Sequence, residues 1–188
     1  MQLDKDAFSS GQILSKIWLA EELEKAVIGF DQPLPLRILA LGGWYGLINF
    51  ILRSRNNLPI EIFRNVDVDC ESCKIADSIN ESWVWREWEF KSLNYDANLY
   101  SYDDNEYNVV INTSTEHMFS KDWFLNIPRG MLTVLQSNNM PHSDHHNTHQ
   151  DLGSFIEDFN LSKILFSDEK LFKYPDWEFK RFMVIGIK

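Results

Sequence analysis

Apolar positions along the chain fall into two rhythms, and the two alternate. From Ser9 to Phe30 the pairs Ile13/Ile17 and Leu14/Trp18 lie four apart. That spacing predicts a helix, with Ser9 or Ser10 as its cap and Gly29 near its end. Asp31-Gln32-Pro33-Leu34-Pro35 then reads as a stiff linker, because each proline fixes its own backbone and restricts the residue before it. Arg37 to Leu41 is a short, mostly apolar run, as expected of a central strand buried on both faces. Leu47 to Arg55 returns to helical spacing through Leu47, Phe50 and Ile51, and Arg53 and Arg55 suit a helix C-terminus. The alternation continues with a strand over Ile60 to Val68 and a helix over Glu71 to Glu81. Strands follow over Trp88 to Leu93, Asn108 to Asn112 and Met131 to Gln136. A helix near Asp151 to Phe159 precedes two closing strands, Ile164 to Phe166 and Phe179 to Ile187.

Strands alternating with helices predict a mostly parallel sheet covered on both faces, a three-layer α/β architecture. The last two strands lie too close together for a helical crossover, so an antiparallel hairpin is expected at one edge. The chain has 188 residues, enough for one domain with a substantial core. Residues 1–35 are expected to form an N-terminal helical cap and linker, and residues 36–188 the main domain. A hydrophobic fraction of 44% and an aromatic fraction of 14% fit a packed globule. No apolar run reaches the roughly 18 residues of a membrane-spanning helix. The charged start, with Asp4, Lys5 and Asp6, is unlike a secretory signal, so the cytoplasm is the expected location. The net charge of -10, with no concentrated basic patch, disfavours nucleic acid as a partner. Nothing in the sequence sets the oligomeric state.

In an open α/β sheet, ligands bind beyond the carboxyl ends of the strands, where the winding reverses. Four predicted strand ends carry suggestive residues. After Leu39-Ala40-Leu41 comes Gly42-Gly43-Trp44-Tyr45-Gly46, where glycine permits a sharp turn and a close ligand approach. A plain strand-to-helix turn is the competing explanation. Asp67, 21 positions after Gly46, is placed to accept ribose hydroxyls, while Asp69 competes for that role or caps the next helix. Asp96, in Tyr95-Asp96-Ala97, can accept an exocyclic amine of adenine, or simply face solvent. Asn112-Thr113-Ser114-Thr115-Glu116-His117-Met118 turns abruptly polar after Val109-Val110-Ile111. Glu116 and His117 are candidates for a general base and its orienting partner, against helix capping at Ser114 or Thr115.

These features together resemble the class I S-adenosylmethionine-dependent methyltransferases. The resemblance runs from about Leu36 to Lys188 and rests on the glycine turn, the Val-Asp of the second strand, the Tyr-Asn-Val-Val-Ile-Asn strand and the final Phe-Lys-Arg-Phe-Met-Val-Ile-Gly-Ile-Lys strand. More loosely, the chain is similar to small solitary methyltransferase-like proteins of bacterial viruses. The resemblance implies a Rossmann-like, seven-stranded sheet with an antiparallel sixth and seventh strand. It implies S-adenosyl-L-methionine as cofactor, methyl transfer to a small-molecule or protein acceptor, and cofactor contacts at Leu41, Gly42, Gly43, Trp44, Gly46, Asp67, Val68, Asp96 and Asn112. Two positions depart from the family pattern. Ala40 stands where an acid is usual, with Glu61 or Glu116 as substitutes, and Trp44 replaces a glycine. The altered turn leaves transfer of the aminopropyl arm, or a non-catalytic binding module, as alternatives.

Three further groups stand out. His142, His145, His146 and His149 crowd one segment after the fifth strand. A solvated loop is the plainest reading, with a metal site, joined by Asp144 or Asp151, or a titrating lid as alternatives. No metal ligand is assigned. Cys70 and Cys73 are expected on one face of a helix's first turn, too few for a tetrahedral zinc site. Trp83 and Trp85 alternate as on one face of an extended segment, and with Trp88 they read as packing residues.

Overall fold

In the computed structural model, described for residues 3–85, 88–102 and 106–188, the chain opens with a single 3-10 turn at Lys5–Phe8. Helix α1 (Ser10–Gly29) follows, with the Ser9 hydroxyl accepting the Gln12 N–H at its start. Next come β1 (Leu36–Leu41), α2 (Leu47–Arg55), β2 (Ile60–Asp67), α3 (Cys70–Ile79), the short α4 (Glu81–Val84), β3 (Phe90–Asn94), β4 (Val109–Asn112), the short α5 (Asp122–Leu125), β5 (Leu132–Asn138), α6 (Leu152–Phe159), β6 (Lys163–Lys173) and β7 (Glu178–Ile187).

The seven strands form one sheet in the order β3-β2-β1-β4-β5-β7-β6. The first five are parallel, and β7 runs antiparallel to both β5 and β6. The winding reverses between β1 and β4. Side chains alternate across a strand, so a strand covered on both faces feeds two cores. Leu36, Ile38 and Ala40 of β1 join Trp18, Leu19, Leu23, Ile48 and Leu52 of α1 and α2. Leu39 and Leu41 point the other way and join Trp123, Phe124, Phe155 and Phe159 of α5 and α6. Most of α1 is therefore part of one helical layer, and only its first two turns reach the carboxyl ends of the strands.

Most element boundaries fall within two or three residues of those predicted. The closing hairpin is the main difference: β6 spans 11 residues instead of three. Ser167, Asp168 and Lys170 break its apolar pattern because β6 is an edge strand, where polar side chains can face water, and the half-buried Glu169 pairs with Lys180 of β7. The tryptophan expectation also changes. Residues Glu81–Val84 are helical, so Trp83 and Trp85 do not share a face. Trp83 packs against Phe50 and Arg53, whereas Trp85 is 79% exposed. Cys70 and Cys73 lie in the first turn of α3 as expected, both as free thiols. Burial pushes the Cys73 thiol up to about 11, away from the reactive thiolate.

Candidate functional site

A cavity of about 560 Å³ crosses the carboxyl ends of the strands at the switch point. Its middle is the turn after β1 and the start of the segment after β4: Gly42, Gly43, Trp44, Thr113 and Ser114. The Ser114 hydroxyl donates to the Gly42 carbonyl at 3.1 Å and joins the two segments. Gly42 has φ +58, and a Cβ there would meet Met118 at 3.0 Å and Ser114 at 3.1 Å. Gly43 is glycine for a reason the sequence does not display. A Cβ there would lie 1.9 Å from Asn65 Oδ1, so the β2 amide occupies the space a side chain would need. Asn65 Nδ2 donates to the Trp44 carbonyl at 3.1 Å. Trp44 has φ +47, stacks obliquely on Tyr45 with ring centroids 4.9 Å apart, and forms part of the cavity wall without filling it.

On the β2 and β3 side the wall is Asp67, Val68, Tyr95, Asp96, Ala97 and Asn98. The Asp67 carboxylate accepts the Trp44 N–H at 2.8 Å and the Asp69 N–H at 3.0 Å, so it helps hold the turn. Burial, with the Asp69 charge beside it, holds the Asp67 carboxyl above its usual range, against the pull of those two N–H groups. Asp69 caps α3 through the Glu71 N–H and the Ser72 hydroxyl. Asp96 lies in the wall, and its Oδ1 is taken up by the Asn98 N–H at 2.9 Å.

On the far side, α1, the β4 loop and β7 contribute Gln12, Lys16, Glu116, His117 and Arg181, together with Asp6 of the N-terminal turn. Lys16 is 6% exposed, Arg181 6% and Glu116 2%. Lys16 Nζ donates to Gln12 Oε1 at 2.7 Å. Burial, then the nearby Arg181 charge, bring the Lys16 ammonium down to about 7, although Glu116 and Asp6 oppose the shift. Burial also lowers Arg181, whose Nη1 donates to the Thr113 carbonyl at 3.3 Å. The Asn138 amide donates to Glu116 Oε1. Glu116 Oε2 and Arg181 Nε are buried without a hydrogen-bond partner.

Of the sequence-predicted residues, Gly42, Gly43, Trp44, Asp67, Val68, Asp96, Glu116 and His117 come together in this wall. Leu41, Gly46 and Asn112 do not. Leu41 is fully buried in the core, and Gly46 starts α2 at φ +64 against Phe90 and Asn80. Asn112 turns its Oδ1 onto the Ser114 N–H. Glu61 is exposed near the start of β2 and does not reach the site, while Ala40 packs into the core under α1. The predicted set lacked Lys16, Gln12 and Arg181.

The histidine segment is not helical, and it is tied down. His146 and Asn147 donate their N–H groups to the Glu116 carbonyl at 2.7 and 3.1 Å. His149 lies 3.1 Å from Asp158 Oδ2 and packs on Phe155. Asp151 caps α6. His117 and His145 face each other edge-on with ring centroids 4.6 Å apart.

No family model matches the sequence, and no curated protein does. Solved structures do match. The N-methyltransferase NodS from Bradyrhizobium japonicum, in complex with S-adenosyl-L-homocysteine, shares 9% identity over 95% of this chain and 88% of its own, with a TM-score of 0.65. The chain has the class I methyltransferase fold. YcgJ from Bacillus subtilis matches at a TM-score of 0.66, with 10% identity over 90% of this chain and 97% of its own. Magnesium protoporphyrin IX methyltransferase from Synechocystis, with bound SAM, matches at a TM-score of 0.60, 10% identity, 92% of this chain and 80% of its own. Among the described residues no helix is long and apolar enough to cross a membrane.

Proposed function

We propose that the protein is an S-adenosylmethionine-dependent methyltransferase acting on a small molecule or a protein side chain. One observation carries the reading: a single cavity runs from Asp67 and Asp96, across the glycine turn, to Lys16, Glu116, His117 and Arg181. Its volume of about 560 Å³ lies within the roughly 300–1,000 Å³ of small-ligand sites. Trp44 leaves that space open, which favours a ligand site over a cleft closed by its own side chain.

The residues present fit the cofactor. Asp67 has lone pairs beyond those given to Trp44 and Asp69, as ribose hydroxyls require. The backbone of Gly42, Gly43 and Trp44, with Val68 and Asp96, would complete the holding surface. When bound, S-adenosylmethionine supplies a methyl group on a sulfonium centre.

The chain's own contribution is alignment, exclusion of water and handling of the acceptor's proton. Gln12 and Lys16 of α1 wall off the acceptor side. Glu116 and His117 are the candidate proton acceptors, and the Lys16 amine joins them because burial brings its ammonium down to about 7. Arg181 and the part-charged Lys16 stand beside one buried carboxylate at this end, which suits an acceptor bearing an anionic or strongly hydrogen-bond-accepting group. With a net charge of -10, nucleic acid is not the acceptor we propose.

Isothermal titration with S-adenosyl-L-homocysteine tests the reading. Saturable heat with about one equivalent is expected. Absence of both heat and a thermal shift, with either that product or the cofactor, would sink it.

A further inference from the structure

Three side chains from two segments converge beside the acceptor end of the cavity. One ligand atom each from Glu116, His117 and His145 lies within 4.8 Å of the other two. The imidazoles are oriented by their outer nitrogens. His145 Nδ1 is 2.8 Å from the Met140 carbonyl, and His117 Nδ1 is 3.1 Å from the Asp144 carbonyl. A carbonyl oxygen can only accept, so both Nδ1 atoms donate, and both Nε2 atoms are left with lone pairs in the neutral rings. Donation of the outer N–H to a backbone carbonyl is how ligating histidines are held in metal sites.

The third member is independent of the histidines. Glu116 is 2% exposed, and its Oε2 is buried without a hydrogen-bond partner. A buried, unsatisfied carboxylate oxygen calls for a ligand. The loop that brings His145 is anchored on this same residue, through the N–H groups of His146 and Asn147 on the Glu116 carbonyl.

We propose that Glu116, His117 and His145 bind one divalent transition-metal ion of the zinc type, with at least one coordination position left open. Two imidazoles and one carboxylate match zinc with an open position, whereas magnesium and calcium favour all-oxygen shells. Lys16 of α1 and Arg181 of β7 line the same end of the cavity as Glu116. With the ion bound, Glu116 and His117 serve as its ligands. Metal binding itself requires no cofactor, so the site stands apart from the methyltransferase reading.

Chelator-stripped, tag-free protein titrated with Co2+ tests it. The expected result is saturation near one equivalent, visible d–d absorption bands, and displacement by Zn2+. His145→Ala and Glu116→Gln should each weaken binding by at least about tenfold, with far-UV circular dichroism unchanged. His142→Ala, at a neighbouring exposed histidine, should leave binding intact. If Glu116→Gln fails to fold, His145→Ala, in the surface loop, carries the comparison. No saturable binding, binding that survives the His145→Ala change, or loss on His142→Ala would overturn the site. The Co2+ titration is run without cofactor, and the S-adenosyl-L-homocysteine titration without metal, so either proposal can fail while the other stands.

Discussion

Replacing Lys16 by methionine keeps the length and volume of a long unbranched side chain and removes its charge. Lys16 is 6% exposed, and its ammonium falls from 10.5 to about 7 because of burial first and the Arg181 charge second. The folded value is thus below the unfolded one. Under pH 7 both states carry the proton, and the cost of burying it stands in full. Between pH 7 and pH 10.5 the unfolded chain holds a proton that the folded one has lost, so stability rises with pH. Above pH 10.5 neither state is charged and the effect is gone. A gap of three to four pH units, at about 1.4 kcal/mol per unit, puts the cost on the order of 5 kcal/mol at pH 6.

Relaxation and water entry reduce that ceiling. Methionine also gives up the 2.7 Å hydrogen bond to Gln12, worth about 1 kcal/mol. Lys16→Met is therefore expected to be more stable than the parent by about 2–4 kcal/mol at pH 6, with the advantage fading to nothing or slightly below by pH 10. Urea unfolding at pH 6, 8 and 10 measures it, and at a slope of about 2 kcal/mol/M the pH 6 midpoint moves up by about 1–2 M. A difference that does not change with pH refutes the reasoning, as does a variant less stable than the parent at pH 6.

Three other outcomes follow from particular contacts. Gly46→Ala places a Cβ 2.9 Å from Phe90 Cζ on a residue at φ +64, and should cost about 2–3 kcal/mol in chemical denaturation. Glu24→Gln breaks the paired hydrogen bonds from Arg55, at 2.6 and 2.9 Å, and should cost about 1–2 kcal/mol at pH 7. Those bonds hold the Glu24 carboxyl below 4.5, so their contribution is full above that pH, and the difference between parent and variant should shrink as pH falls through the folded value. Asp67→Asn should weaken S-adenosyl-L-homocysteine binding by roughly 10- to 100-fold in calorimetry, since hydrogen bonds to a charged group are worth about 1.5–3 kcal/mol; unchanged affinity would remove Asp67 from the ribose role.

The sheet's centre was legible because its strands are buried on both faces. An apolar run such as Arg37–Leu41 between a proline linker and a glycine turn has few other places to go. The edge was less legible for the converse reason: Ser167, Asp168 and Lys170 of β6 are exposed, and with Glu169 they read as loop. Half of the site followed the same logic. The glycine turn, Asp67 and Asp96 end consecutive strands, so chain order lays them side by side. The other half joins the β4 loop, whose Glu116 and His117 the polar turn after Ile111 marks, to a buried pair from α1 and β7, far away along the chain. The pair's trace in the sequence was a charge placed on an apolar stripe. Lys16 continues the helical row of Leu19, Ala20 and Leu23, all buried, and Arg181 shares its strand face with Met183 and Ile185. A charge in such a row costs stability unless something at the far end of the side chain answers it. Here Gln12, Glu116 and the Thr113 carbonyl answer only part of it, since Arg181 Nε and Glu116 Oε2 stay unsatisfied. Such groups persist in a folded core when a bound partner completes them. The same incompleteness therefore argues for a ligand at this end of the cavity, and makes Lys16, unnoticed in the sequence pattern, the sharpest single probe of it.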